Sequence, residues 1–324
     1  MSGPYGADPE LCIVDAAGQP VPAHRFFPPK AKRLETNYGS IYRDGFMLEL
    51  NPSPSHCRAL LGWSVRSLLN EAKRKVGDGY RLAPLPATRI NLTDLLDSPD
   101  DVRQFGCEPA MNAYTGTWHH PNLDETHTWR YAGGHLHYSG YGIEAIVGNP
   151  ELANLYGKMC DQFIGLPLAV MFPDPAQFQR RKYYGLAGEY RIQTYQTKRV
   201  KCYNNRTGEP IFDDFELRGF EYRTPGPEVW NGIEPAGLAL GVMACLGRHF
   251  NELRTTWDPS LEPAIQSAIN TGYPDPKTLL RAVPNFYSPG LIVKCAGVFD
   301  TKTLLGTTND LHDGWGEFAA HMGQ

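Results

Sequence analysis

Two familiar ways of cradling a nucleotide are missing from this chain. Its 324 residues hold no Gly-x-x-x-x-Gly-Lys-Ser/Thr phosphate loop and no Gly-x-Gly-x-x-Gly between a strand and a helix. The seven cysteines are scattered: even the closest pair, Cys160 and Cys202, is well separated, and no Cys-x-x-Cys occurs. That excludes a thiolate zinc site of ordinary spacing and suits reduced, packed thiols in a cytoplasmic protein. The longest apolar runs, around Leu166–Phe172 and Leu238–Leu246, are too short to span a bilayer, so no membrane association is expected. The first residues, Met1 to Asp8, lack an apolar stretch of the secretory kind. A formal net charge of −4 and the absence of a basic tail argue against a general nucleic-acid binder. No internal repeat or low-complexity linker divides the chain.

What is present is a run of unusual character, Trp129-Arg130-Tyr131-Ala132-Gly133-Gly134-His135-Leu136-His137-Tyr138-Ser139-Gly140. In a strand, side chains alternate between faces, so His135 and His137 share one face and Leu136 and Tyr138 the other. Gly133 and Gly134 leave room for a second chain segment or a phosphate to come close. A lone His-x-His is more often a pair of satisfied strand histidines than a site, so its company matters.

Other strands are expected at Glu10–Val14, punctuated at its start by Gly6 and Pro9, and at Phe46–Leu50, stopped by Asn51-Pro52. On uniform alternation Glu49 shares a face with Met47 while Asp44 has the opposite parity, so Gly45 marks a bulge or Asp44 belongs to the preceding turn. A helix is expected over 59–76, with Leu61, Val65, Leu68, Leu69, Ala72 and Val76 on one face and Lys73, Arg74 and Lys75 at its C-terminal end. Tyr80–Leu92 reads as strand broken by prolines. Ser98-Pro99 caps a short helix, and Asn149-Pro150 opens one that closes near Gly165-Leu166-Pro167, its buried stripe being Leu152, Leu155, Tyr156, Met159 and Phe163. Residues 194–218 read as a hairpin turning at 204–208, and Glu234 to about Arg254 as a long apolar helix, followed by two short helices and a loop-rich tail. Strands joined by hairpins, with helices interspersed irregularly, favour an α+β fold with a mainly antiparallel sheet in one domain over 1–324.

The polar residues on or beside these strands are Asp8, Glu10, Asp44, Glu49, His135, His137, Arg181, Arg191, Glu221 and Arg223. For any one pair a salt-bridge ladder on a solvated face is the plainer account. Together, carboxylates inside a sheet are costly unless paired or bound to a cation. Hard oxygen ligands with one imidazole suit Mg²⁺ or Mn²⁺, and neighbouring arginines suit phosphate. With no phosphate loop, that set points to a nucleotide held through metal ions.

Several segments also resemble a known superfamily. Gly133-Gly134-His135-Leu136-His137-Tyr138-Ser139 resembles the Gly-Met-His-x-His-x-Ser segment of glutamine synthetases. Ala187-Gly188-Glu189-Tyr190-Arg191-Ile192 and Phe220-Glu221-Tyr222-Arg223 resemble their later Arg-Ile and Glu-x-Arg elements. Gly6-Ala7-Asp8-Pro9-Glu10, Asp44 with Glu49, and Gly106-Cys107-Glu108-Pro109 with Asn112-Ala113-Tyr114 resemble the phage-encoded carboxylate–amine ligases of type 2, in the glutamine synthetase and glutamate–cysteine ligase superfamily. The likeness covers about residues 5–232, leaving 233–324 as a helical and loop-rich C-terminal part.

The resemblance implies a glutamine synthetase-like α+β fold, a curved antiparallel sheet with helices on its outer face. It implies an ATP- and Mg²⁺-dependent amidoligase that joins a small-molecule or peptide carboxylate to an amine through an acyl phosphate, in the cytoplasm (a host's, if phage-encoded). By position it makes Glu10, Glu49, His135 and Glu221 metal ligands and sets His137 on the ATP phosphates. Arg191 and one of Arg180 or Arg181 (here Arg181) would neutralise the transferred phosphoryl group, and Arg223 would serve the acyl-phosphate site. Asp44 or Glu108 is a general base, with Glu108 and Asn112 on the substrate side. The Pro-Gly-Gln-x-Glu metal motif of glutamine synthetase proper is absent, so ammonia need not be the amine. Monomer and oligomer both fit. Three rivals stand beside this reading: a non-haem iron oxygenase using His135, His137 and Glu221, a guanidino kinase-like phosphotransferase, and a binding protein without chemistry.

Overall fold

The computed structural model describes residues 4–282 apart from 104–108, 122, 125, 141, 204–206, 208 and 209. Glu108 and the expected tail beyond 282 therefore lie outside the described residues, as does most of the expected hairpin turn.

The first strand, β1 (Tyr5–Asp15), is longer than its Gly and Pro punctuation implies. It runs straight through Pro9, which lies opposite Gly134. The Glu10 N–H points to the Gly133 carbonyl at 2.9 Å, so the nitrogen of Pro9 faces the other edge. There, Pro9 falls between the isolated bridge of Tyr5 with Ser55 and the β5 ladder that starts at Glu10, so the missing donor costs no ladder bond. After β2 (Pro20–Val21) and β3 (Leu34–Thr36) comes a hairpin of β4 (Gly39–Asp44) and β5 (Met47–Pro52). Its register, Tyr42 opposite Glu49 and Asp44 opposite Met47, settles the parity of Asp44. Phe46 lies in the two-residue turn with Gly45, whose φ of 54° is left-handed, and across that turn Asp44 returns to the face of Glu49.

The helix α1 (Arg58–Val76) buries the expected face and ends at Gly77, φ 82°. The stretch after it is not one broken strand. β6 (Tyr80–Ala83) joins β1, whereas β7 (Ala87–Arg89) pairs elsewhere, and Leu92 opens a helix, α2 (Leu92–Leu96), whose first turn is capped by Asn91. α3 (Asp100–Arg103) follows the expected Ser98-Pro99 start. Then come β8 (Ala110–Asn112), β9 (Thr117–His119), β10 (Trp129–Tyr131), which pairs β7, and the histidine strand β11 (Gly134–Tyr138).

A helical stretch built of α4 (Ile143–Val147), α5 (Pro150–Cys160) and α6 (Leu166–Met171) continues past Pro167. A π turn over Asp161–Gly165 opens the ladder just ahead of the residue that lacks an N–H. The buried stripe is Ala153, Tyr156, Met159, Cys160 and Ile164; Leu152, Leu155 and Phe163 are only half-buried. α7 (Pro175–Arg180) leads into β12 (Glu189–Tyr203) and β13 (Pro210–Tyr222), the long hairpin expected from 194–218. The apolar helix α8 (Ile233–Arg248) breaks at His249, and α9 (Phe250–Leu253) restarts so that Phe250 packs beside Tyr156. α10 (Glu262–Thr271) and α11 (Pro276–Ala282) complete the described chain.

The main sheet runs β3-β4-β5-β1-β11-β13-β12-β8-β9, with β2 and β6 branching from β1. The strand pairs are antiparallel, so the fold is α+β with an antiparallel sheet. Strict alternation gives the sheet two unlike faces. Leu11, Ile13, Leu48, Leu50, Leu136, Tyr138, Phe220 and Tyr222 pack with Leu61, Val65 and Leu68 of α1, Tyr156 and Met159 of α5, and Leu240 and Met243 of α8. Each such buried side chain contributes roughly 1.5–3 kcal/mol. The other face carries Asp8, Glu10, Glu49, His135, His137 and Glu221 from four strands, and a small second core of Cys12, Val14, Phe46 and Met47 closes one end of it. Among the described residues Cys12, Cys57 and Cys160 are free thiols, and no helix is long and apolar enough to cross a membrane.

Candidate functional site

Register places the acids. Asp8 lies opposite His135, Glu10 opposite Glu49, and His137 opposite Glu221. Cross-strand neighbours on one face come within about 5 Å, and the outcome is two groups. Ligand atoms of Asp8, His135 and Glu221 lie within 4.8 Å of one another, as do those of Glu10, Asp44 and Glu49. The expected ligands Glu10, Glu49, His135 and Glu221 are thus brought together on one face, split between two neighbouring clusters. Asp8 completes one, and Asp44, expected as a general base, completes the other.

The first group is charge-compensated. His135 Nδ1 stands 3.3 Å from Asp8 Oδ2 and 3.7 Å from Glu221 Oε1, and His137 Nε2 lies 2.5 Å from Asp8 Oδ1. Arg223 and Gln193 both donate to Glu221, and Arg191 Nη1 is 3.9 Å from it. Burial raises the Glu221 carboxyl, but Arg223 followed by the two histidines holds it down at about 2. Burial likewise works against an ionised Asp8, yet His137 and His135 keep it well below the usual carboxylate range. Burial also lowers His137, and Asp8 more than offsets this, so its imidazole is raised.

The second group is acid-rich. Burial, then Glu10, pushes the Asp44 carboxyl up to about 6, against the pull of Lys30 and Arg223. Burial with Asp8, Asp44 and Glu10 nearby drives Glu49 well above its ordinary value, though Tyr42 donates a hydrogen bond to it. Buried carboxylates that crowd one another in this way are relieved by a proton or by a divalent cation.

Between the groups stands Tyr184. Its hydroxyl is 3.0 Å from Glu10 Oε1 and 2.8 Å from His135 Nε2, and it accepts from Arg223 Nη2 at 2.9 Å. Its ring lies under two guanidinium groups, those of Arg180 at 5.0 Å and Arg223 at 5.2 Å. The turn that carries it is pinned by Gly185, φ 64°, whose N–H donates to the buried Glu189 at 2.7 Å. His119 Nδ1 approaches the same carboxylate at 2.5 Å, and its imidazole is raised by that contact. The two glycines before the histidines fulfil the close approach read from the sequence. A Cβ at Gly134 would strike the Gly226 carbonyl, and one at Gly133 would strike the His135 imidazole.

Other expected site residues lie elsewhere. Arg181 is buried away from the clusters, where its Nη1 donates to the Ile269 carbonyl at 2.6 Å. Its neighbour Arg180 binds the carbonyls of Thr224, Arg223 and Pro225, so it props the site from below. Asn112 spends its amide on structure: its Oδ1 accepts the N–H of Tyr114 and Thr115, and its Nδ2 donates to the Ala187 carbonyl. Arg191 keeps its place beside Glu221 and donates through Nε to the Pro109 carbonyl. Neither cluster contains His137, and each has at most one imidazole, so the two-histidine, one-carboxylate set of an iron oxygenase is not formed among the described residues.

Sequence reasoning did not assign Tyr42, Tyr184, Gln193 or the role of Asp8. Asp8 and Gln193 could have been found two residues from Glu10 and Arg191 on the same faces, and Tyr42 from the hairpin register. Tyr184 leaves no periodic signal because it lies in a turn.

No protein-family model matches the chain, and no curated protein matches it. Among solved structures it is similar to a bifunctional glutathione synthetase from Pasteurella multocida, with 14% identity and a TM-score of 0.44. The superposition covers 100% of this chain and 49% of that one, so the chain spans about half the length of that enzyme.

Proposed function

We propose that the chain is an ATP- and Mg²⁺-dependent carboxylate–amine ligase, built as one domain on a glutamine synthetase-like sheet. The observation that carries this reading is the pair of three-ligand clusters on one sheet face, linked by Tyr184 and bordered by Arg223 and Arg191. Their donors, carboxylates with a single imidazole, fit Mg²⁺ or Mn²⁺. Asp8, His135 and Glu221 would hold one ion, and Glu10, Asp44 and Glu49 a second.

Divalent ions at such sites neutralise phosphate oxygens and orient the polyphosphate for in-line transfer. The chain's own residues supply the remainder. Arg223 and Arg191 place positive charge beside Glu221, where negative charge grows on a phosphoryl group as it moves from ATP to the substrate carboxylate. The carboxylate oxygen forms the new P–O bond and ADP departs. The amine nitrogen then attacks the acyl carbon, inorganic phosphate leaves, and a base takes the amine proton. His137, whose imidazole is raised by its pairing with Asp8, is suited to donate to the phosphates. Asp44 is read as a ligand rather than the base, because it shares its cluster with Glu10 and Glu49.

The test is ADP release from Mg²⁺–ATP in the presence of pooled carboxylates and amines, with mass spectrometry of the product. An amide formed with one ADP and one phosphate is expected. A phosphorylated product without an amide would instead indicate a phosphotransferase, and no ATP-analogue binding in calorimetry would remove the reading altogether.

A further inference from the structure

We infer that Tyr184 is a positioning residue that fixes the tautomer of His135, so that a nitrogen lone pair is aimed at Asp8 and Glu221; the inference rests on the metal reading above. A phenol has one proton and two acceptor lone pairs. Of the groups around this hydroxyl, Arg223 Nη2 can only donate, and it does so at 2.9 Å. Both Glu10 oxygens accept: Oε2 takes the Gly133 N–H at 2.6 Å, and Oε1 takes the Tyr184 hydroxyl at 3.0 Å. The phenolic proton is then used. What remains for His135 Nε2, 2.8 Å away, is a lone pair on the phenol oxygen, so Nε2 carries the imidazole proton.

The opposite arrangement, with the phenolic proton on Nε2, would leave the phenol oxygen facing Glu10 Oε1 with no proton between them. In the favoured arrangement it is Nδ1 that carries the lone pair. That atom is buried on a side chain 1% exposed and has no hydrogen-bond partner. It faces Asp8 Oδ2 at 3.3 Å and Glu221 Oε1 at 3.7 Å, both of them acceptors. Arg223 donates to that Glu221 oxygen, but no donor stands between Nδ1 and Asp8 Oδ2, and a cation seated among the three atoms would answer them together. An outer partner that locks the ligand's second nitrogen is the usual companion of a metal-bound histidine, and losing it commonly costs about 10–100-fold in affinity. Here the same hydroxyl also holds Glu10, so it couples the two clusters.

The experiment measures Mn²⁺ binding by the loss of the free-ion paramagnetic resonance signal. It uses the full chain and the variants Tyr184→Phe, Tyr183→Phe, His135→Ala and the double variant of Tyr184 and His135. Tyr184→Phe should bind about 10–100-fold more weakly, with an unchanged metal-free unfolding temperature, while Tyr183→Phe matches the parent. In the His135→Ala background the Tyr184 change should cost much less, because its partner is gone. Nitrogen-15 histidine spectra of the Mg²⁺-saturated parent should show the His135 proton on Nε2, a measurement that needs no variant to fold. Equal binding by Tyr184→Phe, an equal cost in both backgrounds, or a proton on Nδ1 would overturn the inference and leave the metal reading standing. No Mn²⁺ binding by the parent would overturn both.

Discussion

His137 Nε2 lies 2.5 Å from Asp8 Oδ1, a diagonal contact between β11 and β1, which are paired so that Asp8 faces His135. The contact holds Asp8 ionised and turns its second oxygen toward His135 Nδ1 and the carboxylate of Glu221. Asp8→Asn keeps the shape and removes one ligand charge. Turnover of ATP should fall by about 10²–10³, with the unfolding temperature little changed, as read by coupled ADP release beside a thermal melt. Activity within a few-fold of the parent would take Asp8 out of the site.

Glu10→Gln and Glu221→Gln each strike one cluster. Both should abolish ADP release, and neither should bind Mn²⁺ with the parent's stoichiometry. Retained activity in both variants would end the metal assignment.

Divalent cation should stabilise the folded chain, since the clusters exist only when five strands, β1, β4, β5, β11 and β13, are assembled. At Mg²⁺ concentrations about a hundred times the dissociation constant, the gain is about 2.7 kcal/mol. It should appear as a rise in melting temperature that chelator reverses and that His135→Ala diminishes. Tyr138→Phe, on the core face, should leave the rise intact. Equal losses from the two changes would mean that the assignment of faces is wrong.

Asp161, fully buried in the π turn, accepts from Tyr222 at 2.6 Å and Thr224 at 3.2 Å, and burial pushes its carboxyl up to about 7. Below its unfolded value the acid is protonated in both states and contributes no pH dependence. As pH rises toward about 7 only the unfolded chain ionises, so stability declines, and above that it levels off. Asp161→Asn should flatten this slope. Relative to the parent, it should gain up to about 4 kcal/mol between pH 4 and pH 8, as measured by denaturant melts. Parallel profiles for the two proteins would show that Asp161 is not the group responsible.

Gly134→Ala should destabilise the chain by about 1–3 kcal/mol or more, because the added methyl meets the Gly226 carbonyl and Val229. A melt unchanged by this substitution would show that the approach of that loop is not as close as described.

Much of this arrangement was readable in one dimension. The period-2 alternation in β11 and around Glu221 fixed which residues share a face, because a pleated strand gives a side chain no third choice. The 3.6-residue spacing in α1 did the same for its buried stripe. Local patterns also marked Asp8, Glu10, Asp44, Glu49, His135, His137 and Glu221 as groups that a sheet would not carry without a cation or a partner, while the choice of Glu10, Glu49, His135 and Glu221 as ligands came from the family resemblance.

Only the folded chain decided which of those charges meet. Pairing register, set by the β4–β5 turn and by the order β5-β1-β11-β13, brings Asp44 to Glu10 and Asp8 to Glu221, and a one-residue slip would have sent each to the opposite face. Arg181 and Asn112 carry side chains as suited to phosphate or substrate as those in the site. Their neighbours across the fold, the Ile269 and Ala187 carbonyls and the Tyr114 and Thr115 amides, consume that capacity. Tyr184 gains its place from contacts 39 to 174 residues away in the chain. Periodicity and spacing describe what a residue's near neighbours impose, whereas hydrogen-bond capacity is spent in three dimensions.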